Sequence, residues 1–163
     1  MTERQIRLFG DPVLRSVCDP IAPGDPRVKG LIEDLLETVE VPGRAGLAAN
    51  QIGVSLAAFS YNIDGDIGYI INPEVIETSG ELELVEEGCL SVPGFYFPRK
   101  RYPFARVRGI DLDGNSAELS GEGVLAQALQ HETDHLAGHL YIEGLEPETK
   151  REAMRAIRQA PWF

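Results

Sequence analysis

The sequence predicts an α+β domain, with mostly antiparallel sheets packed around a central helix and a further helix near the end. Three observations lead there. Helical periodicity occurs in separate blocks, around residues 26–39, 121–140 and 147–159. Short stretches with strand character gather between the first two blocks. The two kinds of element do not alternate as βαβ units would require, so a doubly wound parallel sheet is not expected. At 163 residues, residues 1–163 are read as a single domain with room for a real hydrophobic core.

Each element has a local reason. Gly10-Asp11-Pro12 opens an irregular N-terminal segment, and residues 20–25 are rich in turn formers. Asp25-Pro26 pairs an N-cap acid with a proline of the first turn. Val28, Leu31, Ile32, Leu35, Leu36 and Val39 then follow at helical spacing, until Pro42-Gly43 ends the run. Strands are expected at 56–61, 68–72, 81–86 and 105–111, the last with a partner near 117–119. Asp113-Gly114-Asn115 supplies the hairpin turn between those two.

Composition excludes several classes. The apolar fraction is 43% and the charged fraction 25%, ordinary for a soluble globular protein. No stretch approaches the roughly 20 apolar residues of a membrane span. The first residues show neither a signal-peptide apolar core nor a transit segment, so a cytoplasmic protein with no membrane partner is expected. A formal net charge of -11 argues against DNA binding, which needs a basic surface. Two cysteines, Cys18 and Cys89, do not make a disulfide framework. Cys18 reads as a small buried hydrophobe.

The chemistry concentrates in Gln130-His131-Glu132-Thr133-Asp134-His135, which uses two of the three histidines. Residues four apart share a helix face, so His131 and His135 can converge on one metal ion. Glu132 projects from nearly the same side and can reach a water on that ion. A catalytic site of this kind needs a third protein ligand and one open position. His139 lies eight residues past His131, about 12 Å along a helix axis, too far for bonds of about 2 Å. Tyr141 occupies the place where a metzincin protease would carry its third histidine. Glu143, Glu146, Glu148 and Glu152 are available for a thermolysin-like arrangement but have no distinctive context. Cys89 does, because Glu87-Gly88-Cys89-Leu90-Ser91 closes an alternating strand, and the glycine permits close backbone approach.

Glu87-Gly88-Cys89-Leu90-Ser91 and the histidine motif together resemble the second and third signature motifs of the bacterial-type peptide deformylases. Gly46-Leu47-Ala48-Ala49-Asn50-Gln51 matches the last six positions of that family's first motif, and Gly10-Asp11-Pro12-Val13-Leu14-Arg15 is similar to its N-terminal segment. The resemblance covers nearly the whole chain. It implies one divalent metal on Cys89, His131 and His135. Ferrous iron comes first for that site, with zinc, nickel or cobalt as alternatives. Water in the fourth position would have its pKa lowered by the ion. Glu132 would serve as general base and then acid. Gln51 and the backbone N–H of Leu90 would hold the developing oxyanion. The implied reaction removes the N-formyl group from N-formylmethionyl nascent peptides.

The resemblance also marks a substrate region. Gly46, Ala45 and Arg44 would face bound peptide together with Gly88, Glu87 and Gln127. Arg44 and Ala45 stand where the family's motif carries a glycine and an aliphatic residue, with Gly43 one place too early. Gln127 stands where the family tends to be apolar. Glu87 is expected to pair with Arg99 or Arg101, and Asp134 to anchor the helix through an ion pair. Asn50 and Ser91 read as structural. Arg151, Arg155 and Arg158 recur at helical spacing beside Lys150. They form either a solvated face or, as in the family, a contact with ribosomal RNA. A monomer is expected. The competing readings are a zinc endopeptidase, from the histidine motif alone, and a catalytically weakened homologue that binds peptide or ribosome.

Overall fold

The structure, a computed structural model, describes residues 3–163. A 3-10 turn at Pro12–Arg15 precedes helix α1, Val28–Val39. Strand β1, Gly46–Ala48, leads into a 3-10 turn at Ala49–Ile52. Then follow β2 (Ala58–Ile63), β3 (Asp66–Ser79), β4 (Glu83–Cys89), β5 (Val92–Arg101), β6 (Phe104–Ile110) and β7 (Ser116–Glu122). Helix α2 spans Gly123–Leu136, and a 3-10 turn at Tyr141–Gly144 connects it to α3, Pro147–Arg158. The named strands form two antiparallel sheets, a five-stranded one in the order β1-β2-β3-β6-β7 and a ribbon of β4 and β5. The expected α+β class is what the chain adopts.

Strand alternation explains the layering. Leu47, Ala58 and Ile71 face α1 and pack with its Leu31, Ile32, Leu35 and Val39. Their neighbours Ala48, Phe59 and Ile70 point to the opposite face, against Ala126, Leu129 and Leu136 of α2. Successive residues of a strand must point to opposite sides, so one apolar run serves two helices. A third cluster joins the ribbon to α3: Val92 packs with Leu140, Tyr141, Ile142, Ala153 and Ile157. Helix α2 therefore lies between the five-stranded sheet and the ribbon. Cys18 is buried in the α2 cluster, as expected of a small hydrophobe. Among the described residues no helix is long and apolar enough to cross a membrane.

Several boundaries differ from expectation. Pro26 and Arg27 belong to a turn, and α1 begins at Val28, although Asp25 still accepts from the Arg27 N–H at 2.9 Å. Strand β3 runs seven residues past Asn72 because a bulge absorbs the Asn72-Pro73 interruption. Asn72 adopts a positive φ of 50° there, and its side chain bonds both the N–H and the C=O of Ile21. Before the bulge β3 pairs with β2, and at Ile71 with β6 as well; beyond it β6 is the partner. Strand β1 has only three residues, too few to show a period. Strand β5 contains two prolines and a glycine, which argue against a strand in sequence but are tolerated in a two-stranded ribbon with free outer edges. Helix α2 is shorter than expected at both ends. Gly121 is still paired in β7, and Gly138 turns the chain with φ 86°.

That turn is a Schellman cap. The His139 N–H reaches the Asp134 carbonyl at 2.9 Å and the Gly138 N–H reaches the His135 carbonyl at 3.0 Å. A Cβ on residue 138 would lie 2.9 Å from the Arg15 carbonyl oxygen. Gly138→Ala therefore combines left-handed strain with a backbone clash. It should lower the free energy of unfolding by about 1–3 kcal/mol, seen as a reduced urea midpoint with an unchanged slope.

Candidate active site

The histidines project from α2 toward the ribbon because their helical spacing places both on the face turned away from the five-stranded sheet. His135 is fully buried and His131 nearly so. Their Nε2 atoms lie 3.1 Å apart, and the Cys89 Sγ lies 3.3 Å from the Nε2 of His135. Cys89 ends β4 where the ladder shifts register, so its side chain leaves the ribbon toward α2. All three donor atoms fall within 4.8 Å of one another, and among the described residues no other histidine, cysteine or carboxylate joins them.

These distances suit an ion. Bonds of about 2.0–2.3 Å in a tetrahedral arrangement hold neighbouring donors about 3.3–3.7 Å apart, close to the two short separations here. The charge balance also suits one. Burial works against a proton on His131, yet Glu132, Cys89 and Glu87 around it hold its pKa well above the ordinary value. The same surplus of negative charge would be met by a divalent cation. Burial and the neighbouring His131 hold the pKa of His135 down.

Behind the histidines lies a buried ion-pair chain. Glu87 is 1% exposed. Its Oε1 accepts from Arg101 Nε at 2.8 Å, and its Oε2 accepts from Arg101 Nη2 and lies 2.7 Å from His131 Nδ1. Burial alone would raise this carboxyl group, but the hydrogen bonds from Arg101 and His131 win and hold it at about 2. Glu87 is then an acceptor only, so the Nδ1 of His131 carries the proton and its Nε2 is left as the atom able to bind metal in the neutral ring. Arg101 also donates through Nη1 to Asp134 at 2.8 Å. Of the two expected partners for Glu87, Arg101 is the one it takes, and Asp134 does tie the helix by an ion pair. Both its oxygens are committed to Arg101 and His131, so its side chain orients a histidine.

Glu132 is 3% exposed, with its Oε2 4.0 Å from His131 Nε2 and its Oε1 without a hydrogen-bond partner. Burial, only partly offset by His131, raises its pKa to about 7. A Cβ at residue 46 would sit 2.6 Å from this Oε2, so Gly46 gives the carboxylate its seat. Gln51 is buried at the end of the 3-10 turn after β1. Its Oε1 accepts from the Ala48 N–H, and its Nε2 donates to Ser91 Oγ at 3.1 Å and faces Cys89 Sγ at 3.7 Å. Asn50 and Ser91 are both buried, and Asn50 donates to the His135 carbonyl at 2.6 Å, as suits the structural roles expected of them.

In front of the cluster opens a cleft of about 390 Å³, whose lining includes Arg44, Ala45, Gly46, Gln51, Glu87, Gly88, Leu90, Gln127 and Glu132. The region that the first motif marked is therefore its wall. The Arg44 guanidinium folds back, however, and donates to the Thr38 carbonyl at the end of α1 at 2.7 Å. The left-handed residue of this loop is Gly43, φ 89°, one place earlier than the motif would have it. Gln127 donates to the Glu86 carbonyl at 3.1 Å and so bridges α2 to the ribbon. Sequence reasoning missed the opposite wall, residues 92–96 with Val124 and Ala128. The adjoining Pro93-Gly94 was its one visible trace. His139 is exposed beside Glu143, away from the cluster, and the acidic residues weighed for a thermolysin-like site stay outside it as well.

A helix-borne histidine pair with a thiol, a buried carboxylate and an open cleft defines a metallohydrolase, and the donor set implies a metal. The comparisons narrow this. Residues 3–151 match the family model for polypeptide deformylase, and the chain belongs to that family of hydrolases. It is 48% identical over 162 residues to a peptide deformylase of Acidothermus cellulolyticus, covering 99% of this chain and 89% of that one. A crystal structure of a peptide deformylase from Legionella pneumophila superposes with a TM-score of 0.89 at 37% identity, covering 97% of this chain and 95% of that one. The Ehrlichia chaffeensis peptide deformylase, solved in complex with actinonin, gives 0.87 at 31%, covering 98% of each chain.

Two outcomes follow for the ion-pair chain. Glu87→Gln should weaken Co2+ or Zn2+ binding about 10- to 100-fold, measured by competition with a chelator. Because the folded pKa of Glu87 lies below its unfolded value, the stability it adds is complete above the ordinary carboxylate range. That stability is lost as pH falls through about 2. The wild type should thus hold a stability advantage over Glu87→Gln near neutral pH that shrinks between about pH 4.5 and 2, read by acid titration of the circular dichroism signal.

Proposed function

We propose that this chain removes the formyl group from N-formylmethionyl peptides, with Cys89, His131 and His135 holding one divalent ion. The observation that carries the reading is the meeting of those three donors with a buried carboxylate, Glu132, at the floor of an open cleft. Bound there, the ion would supply Lewis acidity that makes water a nucleophile near neutral pH and polarises the formyl carbonyl. Thiolate and imidazole donors suit Fe2+, the ion the family resemblance favours, and also Zn2+, Ni2+ or Co2+.

The remaining steps belong to protein groups. Glu132, with a raised pKa and an unpartnered Oε1, takes a proton from the attacking water and passes it to the departing amine. Water and the formamide yield formate and a free amino terminus. Gln51 Nε2 and the Leu90 backbone N–H donate to the formyl oxygen as charge builds on it. The Gln51 amide is held on its other side by the Ala48 N–H, so it is aimed before substrate arrives. Gly46, Ala45 and Gly88 flank the peptide, and the apolar side of the cleft at Val92, Phe95 and Ala128 suits a methionine side chain. The complex of the Ehrlichia chaffeensis relative with actinonin supports a peptide-like occupant. Arg151, Arg155 and Arg158 lie exposed on α3 and, in this reading, meet ribosomal RNA. The enzyme would work as a monomer in the cytoplasm.

Formyl-Met-Ala-Ser should be deformylated while its acetylated counterpart and casein are left intact; proteolysis without deformylation would overturn the reading. Cys89→Ala should lose the ion altogether by metal analysis. Glu132→Gln should keep the ion but lower kcat by about 10²- to 10⁴-fold. Since the base must be unprotonated, kcat/KM should decline as pH falls through about 7, well above an ordinary carboxylate.

A further inference from the structure

The cleft wall opposite β1 is a bulge that its own ribbon does not hold. Gly88 pairs with Tyr96 and the next residue, Cys89, pairs with Val92, so residues 93–95 have no partners on β4. Pro93, Gly94 and Phe95 nevertheless line the cleft. Gly94 stands at φ 88°, a conformation that other residues rarely adopt. A loop of this kind, lacking ladder bonds, needs support from elsewhere if it is to present a fixed surface to substrate.

The support comes from the turn after α3. The indole N–H of Trp162 donates to the Pro93 carbonyl at 3.0 Å. Its ring meets Phe95 edge-on, with centroids 6.5 Å apart. Phe163 packs on Trp162 and on Phe9, and the Phe9 N–H bonds the Ser91 carbonyl at 2.8 Å. On the other side Phe95 stacks on Phe97, Phe97 on Tyr141, and Tyr141 lies against His131. A continuous run of rings thus connects the chain after α3 to a histidine of the metal cluster, with the bulge in its middle.

We propose that Trp162 is a positioning residue for substrate: its hydrogen bond and ring hold the Pro93–Phe95 bulge in the shape that receives the formylated peptide. The proposal rests on the deformylase reading above. Trp162 touches neither the donor cluster nor Glu132, so its loss should act on substrate affinity and leave the chemistry in place. Losing one neutral hydrogen bond and one edge-on aromatic contact should raise KM for formyl-Met-Ala-Ser about tenfold in Trp162→Ala. Trp162→Phe, which keeps a ring but lacks the donor, should raise it about threefold. In both, kcat should stay within about twofold and the metal content should be unchanged.

Trp162 is also the chain's one tryptophan, so its emission reports on the bulge directly. Titrating the Zn2+-loaded wild type with actinonin should shift that emission saturably, at the midpoint found by calorimetry. This readout needs no turnover: a wild type that binds actinonin but does not deformylate would sink the functional reading alone. Unchanged KM in both variants, a fall in kcat without a rise in KM, or actinonin binding with silent Trp162 emission would each overturn the positioning role. If Trp162→Ala fails to fold, Trp162→Phe and the emission titration still decide.

Discussion

The site depends on one buried interaction, the guanidinium of Arg101 against the carboxylate of Glu87. Arg101 closes β5 and Glu87 lies in β4, so their pair ties the two ends of the ribbon together. It then continues across to α2 through His131 and Asp134. Burying two charges costs several kcal/mol each, and only excellent geometry repays that. Here both carboxylate oxygens and three guanidinium nitrogens are taken, so the repayment comes with directional constraint. The ribbon and the helix carry separate parts of the donor set, and this chain of charges sets their distance and angle. It also determines which nitrogen of His131 is free.

The cleft follows from that docking. Helix α2 is already committed to the five-stranded sheet through Ala126 and Leu129. Seating the ribbon on its opposite side leaves a gap between β1 and the ribbon's bulged end. Glu132 lies at the floor of the gap, buried enough to raise its pKa and with one oxygen left without a hydrogen-bond partner. The absence of a side chain at Gly46 makes this possible, because a methyl group there would displace the carboxylate. The Arg44 side chain, which sequence alone left free to point at substrate, is occupied in closing α1. The altered first motif thus changes how the loop is anchored and still delivers Gly46 and Gln51 to the cluster.

Most long elements were legible in the sequence because their apolar residues keep a period: α1, α2, α3, β2, β6 and β7 fall close to where the pattern puts them. The misses have particular physical causes. Strand β1 is too short for any period, and β5 carries prolines and a glycine that a two-stranded ribbon tolerates. Strand β3 passes through Asn72-Pro73 only because a bulge and the Ile21 backbone accommodate it. Arg101 sits in a basic run, Arg99-Lys100-Arg101, and nothing local distinguishes the one member that is buried.

By itself the sequence determined the fold class, the helical histidine pair with its glutamate, and the candidacy of Cys89. Spacing along a helix is a local property, and the motifs carry it without reference to the rest of the chain. Only the tertiary structure decided that Cys89 lies 3.3 Å from His135, that Glu87 bonds the ring of His131, and that Trp162 braces a bulge 69 residues away. Each of these joins residues far apart in sequence through hydrogen bonds whose geometry depends on how sheet, ribbon and helix dock. No period or motif encodes a docking angle. It emerges when the apolar faces and the Arg101 ion pair are satisfied together.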